Sequence, residues 1–173
     1  DVCSSDLAVY YSGRSPFEAA SMGVTMLDTD VSFRCNLVTV SDDEPYEEKI
    51  MIDHSADEIT TKESTELLKA VSEHLSTEAI KFYPGIGYRH LMIWDKGPYK
   101  WTLTPPHDIL GQKVKDYMPK GPGSEIIDAM TKKSSEFLKN HDINKNRVAR
   151  GLKPANSIWI WGEGKKRSEE HTS

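Results

Sequence analysis

The sequence predicts an α+β domain, a mixed β-sheet with helices packed against it. Amphipathic stripes and strand-like runs follow in the order helix, two strands, helix, two strands, long loop, helix, helix, strand, which suits one layered domain. The runs 31–40 and 157–161 alternate with a period of two and are apolar enough for buried strands. The length, 173 residues with 37% hydrophobic and 28% charged, is sufficient for one real core.

Each element has its own signal. Ser15-Pro16-Phe17-Glu18 opens the first helix: Ser15 can cap, Pro16 suits the first helical position, Glu18 can complete a capping box, and Gly23 stops it. In the strand 31–40, Val31, Phe33, Cys35, Leu37 and Thr39 share one face, and Arg34, Asn36 and Val38 the other. Residues 42–48 read as a solvated acidic turn, and Lys49 to Asp53 as a second strand forming a hairpin with the first. Thr60 and Glu63 form another capping box before a helix striped by Leu67, Leu68, Val71 and Leu75, with His74 at its boundary. Two short strands flank Pro84-Gly85-Ile86-Gly87. After Gly121-Pro122-Gly123, Ser124 is read as the cap of a helix bearing Ile126, Ile127, Met130, Phe137 and Leu138. Asn144 is read as the cap of a last short helix that places Arg147 and Arg150 on one face and ends at Gly151. Pro154 then forces an extended entry into the strand 157–161, where Ile158 and Ile160 oppose Trp159 and Trp161; both tryptophans are assigned to the core.

Composition excludes several classes. A net charge of −5 argues against a general nucleic-acid surface, and no apolar run approaches a membrane span. No secretory signal opens the chain, and two cysteines support neither a disulfide framework nor a zinc site. Cys35 reads as a small buried thiol and the cytoplasm is the default compartment. The chain lacks a phosphate-binding loop, a dinucleotide glycine fingerprint, Cys-x-x-Cys and His-Glu-x-x-His.

Chemistry rests on cationic and polar groups: Arg14, Arg34, Arg89, Arg147 and Arg150, with Asn36, His107, Asp108 and Asn156. Guanidinium forks bind carboxylate or phosphate oxygens in pairs, and these arginines stand beside Gly, Pro and Asn, where backbone can approach a ligand. Taken singly, an arginine is more often a surface or ion-pairing residue. His107-Asp108, behind Pro105-Pro106, is the acid–base candidate; the other reading is an Asp cap with an exposed His.

Five motifs carry a resemblance. They are 10–19 (Tyr-Tyr-Ser-Gly-Arg-Ser-Pro-Phe-Glu-Ala), 31–40, Phe82-Tyr83-Pro84-Gly85-Ile86-Gly87-Tyr88-Arg89-His90, Thr104-Pro105-Pro106-His107-Asp108-Ile109, and 147–162 followed by Gly164-Lys165-Lys166. In this order they resemble the archaeal-type cofactor-independent phosphoglycerate mutases, members of the alkaline-phosphatase-like metalloenzymes. The resemblance implies a parent enzyme that interconverts 3-phosphoglycerate and 2-phosphoglycerate through a phosphoserine, with two divalent metals, manganese foremost. It also implies that the serine nucleophile and metal ligands lie outside this stretch, before Tyr10 and after Lys166. The chain would then supply no metal ligand of its own, and its partner would be the metal-binding domain of the same protein. What is present resembles the inserted domain that grips substrate and covers the metals, with the nine polar residues above in positions that could face the cleft. Residues 10–166 are read as that domain. Residues 1–7 and 167–173 resemble translated sequencing-adapter read-through, so 1–9 are set aside as a non-native tail plus stub and 167–173 as a non-native tail; the other reading is a pair of disordered native tails. The competing readings are the insert of a related phosphatase or phosphotransferase, and a stand-alone anion-binding module.

Overall fold

A computed structural model describes residues 9–12, 15–42 and 45–168. Over these the α+β expectation holds. The elements are β1 (Val9–Ser12), α1 (Ser15–Ser21), β2 (Asp30–Val40), β3 (Met51–Asp53), α2 (Thr61–Leu75), β4 (Ile80–Ile86), β5 (Arg89–Asp95), α3 (Ser124–Leu138), α4 (Asp142–Ala149) and β6 (Ser157–Ser168). The sheet runs β1-β6-β2-β5-β4 with β3 on the end of β2, and every pairing among the described strands is antiparallel.

Strand β2 is central because both its faces are covered. Phe33, Cys35 and Leu37 pack with Ile158, Ile160 and Met92 under the stripes of α2 and α3, contributed by Leu67, Leu68, Val71, Ile127 and Leu138. Each large side chain so withdrawn from water contributes about 1.5–3 kcal/mol. On the opposite face Val38 and Trp159 join Tyr46, Met51, Ile109 and Val114. Further along that face Leu91 and Ile93 pack with Ala19 and Met26, next to α1. Between these two apolar patches the β2 register places Arg34 and Asn36. Burial raises the Cys35 thiol well above its ordinary range, so it is an inert core group. Among the described residues no helix is long and apolar enough to cross a membrane.

Several local expectations need correction. Thr60 Oγ1 does accept from Glu63 N at 3.3 Å, but the Glu63 carboxylate turns to Arg147 and Arg150, leaving half a capping box. The cap of α3 is Gly123, not Ser124: its φ is +82°, and a Cβ there would meet the Trp94 ring at 3.0 Å. Ile126 points outward at 42% exposure. α4 is capped by His141, whose Nδ1 accepts from Ile143 N at 3.1 Å. Asn144 sits inside that helix and clamps Leu138 O, Ala155 O and Ala155 N. The acidic turn is not wholly solvated, because Tyr46 is buried with its hydroxyl 2.9 Å from Ser157 Oγ. Lys49 and Ile50 precede β3 rather than belonging to it. The last strand continues well beyond Trp161 to Ser168, and its far half pairs with β1, an element the sequence reading lacked.

Candidate functional site

Alternation along β2 sends Arg34 and Asn36 to the face away from α2 and α3. Across β6 the register sets Trp161 opposite Arg34; across β5 it sets Arg89 opposite Asn36. Strand β6 bulges here, with the register shifting between Ser32 and Arg34. Gly162 (φ +65°) supplies the bend, and a Cβ on it would lie 3.0 Å from Arg34 Cδ. Bulges beside functional sites commonly re-aim a side chain in this way. Tyr88 comes from the β4–β5 turn, where Gly87 takes a φ of +60°.

A loop after β3 adds His54. Ala56, Asp57 and Glu58 all lie in the left-handed region, at φ of 50°, 60° and 51°. Such backbone costs roughly 1–2 kcal/mol per residue and persists only where surroundings hold it. Asp53 does so by accepting from Ser55 N, Ser55 Oγ and Asp57 N. Burial raises the Asp53 carboxyl, but these hydrogen bonds and Lys153 leave it below its ordinary range. The last wall is His107, delivered by the turn Pro106–Asp108, which Trp159 Nε1 anchors by donating to Thr104 O at 2.8 Å.

The result is a cavity of about 470 Å³ lined by Arg34, Asn36, Arg89 and His107 together with Glu18, His54, Tyr88 and Trp161. Its groups form a connected wall. The Arg34 guanidinium lies 4.8 Å from the Trp161 ring centre, Trp161 Nε1 donates to Asn36 Oδ1 at 3.1 Å, and Asn36 Nδ2 donates to His54 O at 3.4 Å. His107 lies edge-to-face with both Trp161 and His54. Arg34 donates through Nε and Nη2 to Glu18, both at 2.9 Å. Arg89 stacks on Tyr88 and donates to its hydroxyl at 3.3 Å, which raises the guanidinium's pKa further. Arg89 makes no ion pair among the described residues.

The other expected residues sit elsewhere. Arg147 is 2% exposed and its donors are taken by Lys153 O, Glu63 Oε1 and Ala56 O at 2.9, 2.6 and 2.7 Å. Arg150 donates to Glu63 Oε2 at 2.5 Å and Asn146 Oδ1 at 2.6 Å. The buried Asn156 side chain pairs with Val40 N and O, extending the ladder past the start of β6. Asp108 lies 3.7 Å from His107 but is 60% exposed and outside the cavity wall. Arg14 lies outside the described residues. Glu18, His54, Tyr88 and Trp161 were not expected in the wall. The signal for Trp161 was its place on the same strand face as Trp159, opposite Arg34 of β2; Glu18 was hidden by its assignment as a cap.

Comparison with known proteins gives this geometry a context. The family model of 2,3-bisphosphoglycerate-independent phosphoglycerate mutase matches residues 5–144. The chain belongs to that family. Phosphoglycerate mutases so named from Methanosarcina barkeri and Methanosarcina mazei are each 46% identical over 160 residues, covering 92% of this chain and 39% of those proteins. The cofactor-independent phosphoglycerate mutase structure from Thermoplasma acidophilum superposes with a TM-score of 0.73 at 26% identity, over 90% of this chain and 43% of that one. The chain therefore spans about two fifths of the length of these mutases. Among the described residues no group of three His, Cys, Asp or Glu could hold a metal ion. The described residues thus do not fit a metal pair, and no metal-dependent step is assigned to them.

Proposed function

We propose that this chain is the substrate-gripping inserted domain of a phosphoglycerate mutase that interconverts 3-phosphoglycerate and 2-phosphoglycerate. The phosphorylated serine and the two divalent metals, manganese foremost, belong to the rest of that protein. The observation that carries the reading is the convergence of Arg34, Asn36, Arg89 and His107 on one cavity. Its volume falls within the range of small-molecule sites, about 300–1,000 Å³. Two guanidiniums offer planar forks for carboxylate or phosphate oxygens. The Asn36 amide and the half-exposed His107 imidazole add directional groups that fix how the acid lies. The indole of Trp161 and the phenol of Tyr88 back the two arginines, so each fork is held before the ligand arrives. The pairing of Tyr11 and Ser12 in β1 with Lys166 and Lys165 in β6 supports insertion, because the chain enters and leaves the sheet side by side.

The test joins two measurements. The intact protein encoded by the full reading frame should convert 3-phosphoglycerate to 2-phosphoglycerate with manganese, and the 173-residue chain should not. Turnover by the chain alone would overturn the division of labour. Release of inorganic phosphate by the intact protein, in place of isomerisation, would make it a phosphatase.

A further inference from the structure

Glu18 is the anomaly of the site: a carboxylate in the wall of a cavity read above as a grip for an acid. Its two oxygens already take the Nε and Nη2 donors of Arg34, both at 2.9 Å. That is the side-on pairing a ligand carboxylate would seek. Arg34 is 19% exposed and Glu18 31%, so the pair is partly shielded at the rim rather than sealed in the core. Glu18 also borders a second hollow, of about 190 Å³, whose wall includes Ser21, Arg89 and His90. The positive field of Arg89 reaches Glu18 as well. The carboxylate thus has one partner it now holds and a neighbouring space, with a second guanidinium beside it, into which it can turn.

We propose that Glu18 is an internal stand-in for the ligand's anionic group: it occupies the Arg34 fork in the empty site and swings toward the second hollow when a small acid binds. This rests on the cavity reading of the previous section. The stand-in keeps Arg34 extended and paired while no ligand is present, since a partly buried guanidinium without an acceptor is costly. It also sets a threshold. A ligand must outcompete an intramolecular carboxylate at Arg34, and it does so best when a second anionic group is held at Arg89. The site thereby favours acids carrying two anionic groups over simple carboxylates. Apparent affinity is reduced by the fraction of molecules in which Glu18 holds the fork.

The test is an NMR titration of the 173-residue chain with 3-phosphoglycerate, comparing the native chain with Glu18→Gln and Arg89→Ala. Glu18→Gln should tighten binding about tenfold, as expected if the fork is free in only about a tenth of native molecules. Arg89→Ala should weaken it. Unchanged or weaker binding in Glu18→Gln, with Arg89→Ala still harmful, would overturn the stand-in and make Glu18 a support that orients Arg34. No binding by any of the three, or binding indifferent to Arg89, would remove the cavity reading and this inference with it. Should Glu18→Gln not fold, the native chain still decides: saturating 3-phosphoglycerate should move the Glu18 carboxyl carbon resonance, and a stationary resonance would overturn the proposal.

Discussion

Two pairs of arginines divide the labour of this domain, and their difference lies in what their donors meet. Arg34 and Arg89 project from neighbouring strands into a cavity, each backed by an aromatic ring, with Arg89 unpaired by any described carboxylate. Arg147 and Arg150 share the single carboxylate of Glu63, and Arg147 spends its remaining donors on the carbonyls of Ala56 and Lys153. Ala56 opens the left-handed run that follows His54. The second pair thus works as a brace for a strained loop, while in the first Arg89 faces the cavity without a carboxylate partner and Arg34 holds only the rim carboxylate of Glu18. A guanidinium beside Gly and Pro in sequence can serve either end; the acceptor it finds decides.

The largest test of this contrast is Arg147→Ala. Removing a charge that is 2% exposed strips the partner from one Glu63 oxygen and from the Ala56 and Lys153 carbonyls, leaving Glu63 to Arg150 alone, and should cost about 3–5 kcal/mol in urea denaturation. A loss below about 1 kcal/mol would show that the brace carries no weight. Arg89→Ala should do the reverse: hydrogen bonds from charged groups are worth about 1.5–3 kcal/mol, so 3-phosphoglycerate binding should fall roughly 10- to 100-fold while the melting curve barely moves. Gly162→Ala comes next. The residue would be strained at φ +65° and would press on Arg34 Cδ. Stability should fall by about 1–2 kcal/mol, with weaker ligand binding because the Arg34 fork is displaced.

Acid should separate the pairs as well. Burial raises the Glu63 carboxyl, but hydrogen bonds and charge from Arg147 and Arg150 outweigh it and hold the group below its ordinary value of 4.5. A carboxyl depressed on folding stabilises the fold above its unfolded pKa, and that stability is lost as pH falls through the lower folded value. Denaturation midpoints should therefore drop below pH 4.5, and Glu63→Gln should flatten that part of the profile. An unchanged slope in Glu63→Gln would assign the acid sensitivity to other carboxyls.

Much of this architecture was legible because burial leaves a periodic trace. The alternation of 31–40 located β2 and put Arg34 and Asn36 on one face, and the stripe 67–75 located α2. Caps were less legible. Ser124 and Asn144 have the chemistry of caps, yet the contact of Gly123 with Trp94 and the bonds of Asn144 to Ala155 are tertiary facts that no local window contains. The site shows the same limit. Residue type marked Arg34, Asn36, Arg89 and His107, which the fold brings to one cavity, and equally marked Arg147, Arg150 and Asn156, which it places on internal acceptors. His54 and Glu18 were overlooked because a ligand-facing role depends on neighbours far away in sequence.

The smallest effect is expected at Arg150, and it is the sharpest test of the comparison. Sequence alone makes Arg147 and Arg150 equivalent, three residues apart toward the end of one helix; in the structure Arg147 lies in α4 and Arg150 just past it, and both bind the same carboxylate. Their surroundings are not equivalent: the Arg150 side chain is 46% exposed against 2% for Arg147. Water already solvates much of Arg150, so its ion pair is worth at most about 1 kcal/mol. Arg150→Ala should therefore unfold within about 1 kcal/mol of the native chain, measured by urea, and leave 3-phosphoglycerate binding intact. Loss of binding at unchanged stability would move Arg150 from the brace to the ligand, and the division between the two arginine pairs would no longer hold.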